Sequence, residues 1–120
     1  MKKIITVLVL MLTLSAVAQD EYVQSSTNAF EAEAKTITNT YNKQLALTSK
    51  QLLLFQKKVE EFLIRQADIE EKYSGKEKLD LIYGLQRNET AEMGNILTQP
   101  QMELYKQMKP TVQPLDRIKK

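Results

Sequence analysis

The chain has 120 residues, of which 42% are hydrophobic, and its 17 basic and 15 acidic side chains give a net charge of +2. This length allows one domain at most. Because the sequence contains neither cysteine nor histidine, disulfides and thiol chemistry are excluded, and the commonest general base and metal ligand are missing. We expect no enzyme activity, no catalytic residue, no metal site and no cofactor.

Residues 1–18 have the pattern of a secretory signal peptide. Two lysines precede an apolar run over residues 4–14, and Ala16 and Ala18 supply the small side chains of a cleavage site. The run is shorter than the about 20 residues that a membrane-spanning helix needs; the alternatives are an uncleaved anchor or a core helix. We expect cleavage after Ala18, a periplasmic or secreted protein, and no integral membrane span in the mature chain.

The mature chain is predicted to consist of a flexible N-terminus, residues 19–27, a helical domain, residues 28–110, and a flexible tail, residues 111–120. Cleavage of 18 residues leaves 102, and the loss of two lysines leaves 15 basic residues against 15 acidic ones. A balanced charge argues against nucleic-acid binding, which depends on basic surfaces.

The first predicted helix covers residues 28–44. Its apolar side chains recur at spacings of four, three and four residues, which places them on one helix face. These residues are Phe30, Ala34, Ile37 and Tyr41.

The second predicted helix, residues 49–73, has a start that is recognisable from its side chains. Thr48 can accept a hydrogen bond from the backbone N–H of Gln51, and the Gln51 side chain can reach back to the N–H of Thr48. Leu47, just before this capping box, can pack on Leu52. Apolar residues then repeat at the spacing of a coiled-coil seam with one polar break. The seam consists of Leu52, Phe55, Val59, Phe62, Gln66, Ile69 and Tyr73.

The third predicted helix, residues 76–96, follows Gly75, a residue that suits the left-handed end of a helix. Glu89 lies in the middle of its apolar side. A short turn between two long helices predicts an antiparallel hairpin. The apolar residues of this helix are Leu79, Ile82, Leu85, Met93 and Ile96.

The fourth predicted helix, residues 99–108, begins like the second. Leu97 precedes a capping box formed by Thr98 and Gln101, and Pro110 is expected to end the helix. The chain therefore contains two Leu-Thr-x-x-Gln motifs, 50 residues apart.

These paired motifs, at residues 47–51 and 97–101, resemble those of the Spy/CpxP family of periplasmic proteins, also called the LTxxQ family. The resemblance extends over about residues 45–108 and includes the run from Asn95 to Thr98. It implies a thin, curved, antiparallel helical dimer that acts as an ATP-independent chaperone or as an inhibitor of an envelope stress sensor.

The chain departs from that family in three ways. Its motifs lie only 50 residues apart, a helix precedes the first motif, and its mature charge is balanced, whereas the best-known chaperone of the family has a basic concave face. The resemblance therefore supports the motif residues as helix caps but does not carry over a complete client-binding surface. The motif residues are Leu47, Thr48, Gln51, Leu97, Thr98 and Gln101.

Three apolar residues of the second helix, Leu53, Leu54 and Ile64, lie off its seam. Packing against one other helix would leave them exposed, so either further chain covers them or they bind other polypeptides. Nearby cations would attract acidic segments. The candidate client- or partner-binding residues are Leu53, Leu54, Ile64, Lys57, Lys58 and Arg65.

The sequence thus predicts an all-α protein, an elongated antiparallel helical hairpin with short flanking helices that dimerises as a cradle. The leading hypothesis is an exported, ATP-independent, chaperone-like homodimer that binds unfolded or apolar segments of envelope proteins. The alternative is a regulatory protein that binds one envelope stress sensor or partner.

The acidic residues of the second helix alternate with basic ones, which favours a solvated face over a metal site. Met93, Met102 and Met108 are interpreted as core residues rather than soft-metal ligands.

Overall fold

The computed structural model describes residues 29–115, and this part of the chain is 85% helical without a strand. This confirms the all-α class. The predicted signal peptide, the segment 19–27 and residues 116–120 lie outside the described residues. The four helices are α1, residues 29–45; α2, Ser49–Lys72; α3, Gly75–Met93; and α4, Gln99–Val112.

The core lies where α1, α2 and α4 meet. Three aromatic rings, those of Tyr41, Phe55 and Tyr105, pack together with centroids 5.0 to 5.7 Å apart, and all three residues are fully buried. Aromatic contacts at this spacing add to the free energy gained by removing large apolar surfaces from water. The apolar face predicted for the first helix is confirmed, because Ala34 and Ile37 are buried beside Tyr41.

The seam predicted for the second helix is buried at its centre and opens towards its end. Phe55, Val59 and Phe62 are buried, whereas Tyr73 is 40% exposed. At the polar break, the Gln66 carbonyl oxygen accepts a hydrogen bond of 3.0 Å from the Gln86 side chain of α3. The polar residue in the seam therefore has a polar partner.

The helices α2 and α3 lie side by side and run in opposite directions. Lys58 contacts Glu92 near one end, and Gln66 contacts Gln86 further along. Only two residues connect the helices, and the chain then enters α3 through Gly75 with a φ of 63°. A side chain rarely adopts this left-handed conformation, which accounts for glycine at this turn.

Two helix ends differ from the sequence prediction by more than one residue. The first is the end of α3, which stops at Met93 instead of continuing to residue 96. The amides of Asn95 and Ile96 bond to carbonyls three residues earlier, so the chain tightens into a turn. This turn brings Thr98 into the extended conformation that a capping residue needs.

The second difference is at the end of α4. The prediction that Pro110 ends this helix is wrong, because α4 continues to Val112 and the amide of Gln113 still bonds to the carbonyl of Lys109. The predicted flexible tail therefore begins too early. A proline two residues before the last helical residue removes only one hydrogen bond of the helix, and the buried side chain of Gln113 anchors the last turn.

The molecule is elongated, with principal dimensions of 68 × 39 × 20 Å. Leu53 and Ile64 of α2 and Leu81 and Tyr83 of α3 are exposed, so each of these two helices has apolar side chains on a face that no other described element covers. Among residues 29–115, no helix combines the length and the apolar composition that crossing a membrane requires.

Candidate functional site

Both Leu-Thr-x-x-Gln motifs form complete capping boxes. At α2, the Gln51 amide donates to the Thr48 hydroxyl (3.1 Å) and the Thr48 amide donates to the Gln51 side chain (3.0 Å). At α4, the Gln101 amide donates to the Thr98 hydroxyl (3.4 Å) and the Thr98 amide donates to the Gln101 side chain (2.9 Å). Each box satisfies amides that would otherwise lack partners at a helix start.

The two motif glutamines also bind each other, a contact that we call the glutamine clasp. The side-chain amide of Gln51 donates to the carbonyl oxygen of Gln101 at 2.8 Å, and the reverse bond is 3.2 Å. Gln51 additionally donates to the backbone carbonyl of Ile96, and Gln101 to that of Leu45. Each glutamine is therefore bound to the other glutamine and to the segment that precedes the other glutamine's helix.

The leucines of the motifs pack inward beside the clasp. Leu97 is buried and Leu47 is half-buried, and both belong to the apolar core. This burial explains why the pattern requires leucine before threonine: the residue fixes the angle at which the chain enters the helix. All six motif residues therefore contribute to helix capping, to the glutamine clasp or to packing at the core.

The three apolar residues predicted to bind partners are exposed on α2. Leu53 is 57% exposed, and Leu54 and Ile64 are each 41% exposed. Leu53 and Ile64 are 11 positions apart, or about three turns and 16 Å, and therefore lie on the same outer side of the helix. Leu54 lies about 100° around the helix axis from Leu53.

The cations predicted to accompany them have different environments. The Lys58 ammonium contacts Glu92 at 2.8 Å and Glu61 at 3.2 Å, and these hydrogen bonds raise the pKa of Lys58. The Arg65 guanidinium lies 5.0 Å from the centroid of the Phe62 ring. Lys57 is exposed. Of these three cations, Lys58 is therefore the one whose position is fixed by two carboxylates.

Five of the six predicted residues, all except Arg65, form two patches. Leu54, Lys57 and Lys58 line a shallow depression of about 300 Å³ that also includes Ile96. Leu53 and Ile64 lie on the outer side of α2, away from this depression. The sequence identified the exposed apolar side chains, but only the structure separates them into the depression and the outer side.

A buried polar network, which we call the Glu89 network, joins three helices. Glu89 is 1% exposed, and its carboxylate lies 3.0 Å from the Lys109 ammonium of α4. It also accepts a hydrogen bond of 3.3 Å from the Gln113 side chain, whose carbonyl oxygen accepts one of 2.7 Å from the Tyr41 hydroxyl of α1. The network thereby ties the end of α4 to α1 and α3.

The Lys109 ammonium of the network is bound by α3, and within its own helix it lies 5.3 Å from the centroid of the Tyr105 ring. The Lys109 ammonium donates to the backbone carbonyl of Gln86 at 3.0 Å and to the Thr90 hydroxyl at 2.7 Å, in addition to its contact with Glu89. All three hydrogen-bond donors of the ammonium group are therefore used.

Burial shifts the pKa of both charged members of the network towards their neutral forms. It raises the pKa of the Glu89 carboxyl, an effect that the Lys109 ammonium opposes. It lowers the pKa of Lys109, an effect that Glu89 opposes. Burial and the Glu89 charge also raise the pKa of Tyr41, so its phenol keeps the proton that it donates to Gln113.

Sequence reasoning located Glu89 on the apolar side of α3 but did not find its partners. Glu89 and Lys109 are 20 positions apart in the sequence, and this separation does not predict a contact. The two side chains meet only because α3 and α4 pack together. The available signal was a carboxylate in an apolar stripe, since such a residue is almost never buried without a partner.

The three methionines considered as metal ligands lie in or against the core of the described structure. Met93 and Met102 are buried in the core, and Met108 packs against it. Within residues 29–115, no three acidic side chains come together closely enough to hold a metal ion.

Comparisons of the chain with protein-family models, with curated proteins and with solved structures each found no match. The relation to the Spy/CpxP family therefore stays a prediction, which rests on the two motifs.

Proposed function

We propose that this protein is an exported, ATP-independent, chaperone-like protein that binds unfolded or apolar segments of envelope proteins. The observation that carries the proposal is the exposure of Leu53, Leu54 and Ile64 on a helix whose opposite face is well packed. Apolar residues close to charged ones are typical of interaction surfaces, and each Å² of apolar surface covered by a client contributes about 25 cal/mol.

The proposal includes the assembly and the location of the protein. An extended antiparallel hairpin of α2 and α3, flanked by α1 and α4, would dimerise as a cradle. Its support is the small thickness of 20 Å, because thin helical units bury little surface by themselves. The predicted signal peptide supports a periplasmic or secreted location. Sedimentation of the mature chain at several concentrations tests the dimer.

An aggregation assay tests the function. The mature chain is added at equal molar ratio to an unrelated protein that is diluted from urea, and light scattering is followed. We expect suppression of scattering without ATP, and a weaker effect for the double variant Leu53→Gln/Ile64→Gln. Leu104→Gln, an exposed leucine of α4, is the matched control. Full scattering with the wild-type chain would exclude the proposal.

The alternative function is binding of one envelope sensor or partner. The observation that favours it is the fixed geometry of Lys58 between Glu61 and Glu92, since preorganised charges favour a specific partner over many. A pull-down from envelope extract that returns one protein, and loses it with Lys58→Glu but not with Lys50→Glu, would favour this alternative.

A further inference from the structure

A second surface, formed by other residues, encloses a larger volume than the depression beside α2. It is a groove of about 870 Å³ between α3 and the end of α4, which we call the α3–α4 groove. Its volume is within the range of about 300 to 1,000 Å³ that is typical of ligand sites. The residues that matter for its chemistry are Tyr83, Arg87, Lys106, Lys109, Pro110 and Leu115.

The floor of the groove is rigid. Lys109 donates hydrogen bonds to the Gln86 carbonyl and to the Thr90 hydroxyl, and it pairs with Glu89. These bonds fix the distance between α3 and α4 before any ligand arrives. A preformed groove binds more tightly than a mobile one because less conformational entropy is lost on binding.

The charge of the groove is positive at its rim. Arg87 and Lys106 are both exposed, and neither has an acidic partner among residues 29–115. The charge of Lys109 is compensated by Glu89, and one carboxylate, that of Asp80, lines the groove. The rim therefore keeps an excess of positive charge, and guanidinium groups bind carboxylates through two parallel hydrogen bonds.

The walls between these cations are apolar. Tyr83 is 46% exposed, and Pro110 and Leu115 lie across from it. Tyrosine and arginine are the residue types that most often contribute strongly to binding at protein interfaces. A groove between two helices that is open along one side suits an extended or helical polypeptide segment.

We propose that the α3–α4 groove binds a polypeptide segment of another protein that carries acidic residues beside apolar ones. The carboxylates of the segment pair with Arg87 and Lys106, and its apolar side chains cover Tyr83 and Pro110. This site is separate from the α2 patches. Complementary charge selects the segment, and the apolar walls supply burial.

The test is fluorescence anisotropy with a labelled peptide of about 12 residues, in which glutamate pairs alternate with leucine and phenylalanine. The mature chain should bind it, and the same peptide with lysine for glutamate should bind at least about fivefold more weakly. The variant Arg87→Gln/Lys106→Gln should weaken binding of the acidic peptide about fivefold or more. Tyr83→Ala should also weaken it, whereas Lys43→Gln/Lys50→Gln, with the same loss of charge at exposed positions away from the groove, should not.

The proposal is wrong if the acidic peptide does not bind, if the lysine peptide binds equally well, if the Arg87→Gln/Lys106→Gln variant binds the acidic peptide as the wild-type chain does, or if only the control variant loses binding. A further arm removes residues 19–27, which contain Asp20 and Glu21. If this removal raises peptide affinity about tenfold, the chain's own N-terminal segment occupies the groove, and the proposal of a separate partner is wrong. Peptide binding without suppression of aggregation would support the groove and reject only the chaperone-like function.

Discussion

Replacing either charged member of the Glu89 network should destabilise the protein far more than replacing both. Glu89 is 1% exposed and the Lys109 side chain 13%. The variant Glu89→Gln keeps a hydrogen-bond acceptor for Gln113 but leaves the Lys109 charge without its counterion. The variant Lys109→Met leaves the Glu89 carboxylate in the same position. Each single replacement therefore leaves one uncompensated charge in the interior.

The expected loss of stability in each single variant is set by the charge that stays buried without its partner. Removing one partner of a buried ion pair typically destabilises by about 3 to 5 kcal/mol, a large part of the about 5 to 15 kcal/mol that holds a domain folded. The double variant Glu89→Gln/Lys109→Met contains no buried charge. It loses the hydrogen bonds of Lys109 to Gln86 and Thr90, worth about 1 kcal/mol each. We therefore expect it to be more stable than either single variant.

The pH dependence of the single variants should have opposite signs. In Lys109→Met, burial raises the folded pKa of Glu89 above the unfolded value, near 4.5. The destabilisation is therefore complete above the folded pKa and shrinks as the pH falls towards 4.5. In Glu89→Gln, burial lowers the folded pKa of Lys109 below 10.5, so the destabilisation shrinks as the pH rises through that folded pKa.

Urea unfolding followed by circular dichroism, at about pH 5, 7 and 9, measures these free energies. The matched control is Lys72→Met, which removes an exposed pair with Asp68 and should change stability by at most about 1 kcal/mol. The reasoning would be refuted if the double variant lost as much free energy of unfolding as the two single variants together. It would also be refuted if the stability of both single variants changed with pH in the same direction.

Three further predictions concern single features of the fold. Gln51→Ala and Gln101→Ala should each destabilise by about 1 to 3 kcal/mol, and the double variant by clearly less than the sum, because either change breaks the same glutamine clasp; a urea double-mutant cycle with zero coupling would contradict this. Tyr41→Phe should cost about 1 to 3 kcal/mol because the buried Gln113 oxygen loses its donor, and an unchanged urea midpoint would show that Gln113 finds another donor. Gly75→Ala should destabilise by about 1 kcal/mol since its φ is 63°, whereas Gly84→Ala, in a helix interior with only the Arg87 side chain 4.0 Å away, should stabilise by up to about 1 kcal/mol; thermal unfolding of the two variants in the same direction would be inconsistent with this account.

The candidate binding residues show what the periodicity of a sequence can and cannot predict. Periodicity identified Leu53, Leu54 and Ile64 as apolar residues off the seam, and all three are exposed. Periodicity gives the angle of a residue around its own helix, but not what the neighbouring helices contribute. For that reason the depression beside Ile96 and the α3–α4 groove, which each combine residues of two elements, did not follow from the sequence.

The sequence by itself determined the helices and the starts of α2 and α4, because capping boxes and apolar spacing depend on residues three or four positions apart. It placed Thr48 with Gln51 and Thr98 with Gln101, and the hydrogen bonds within each pair are present. Only the tertiary structure decided that these glutamines bind each other and that α4 continues past Pro110. It also decided that Glu89 has a cation as its partner. These contacts join residues 20 to 50 positions apart, and such pairs form only when whole helix faces pack together and remove polar groups from water.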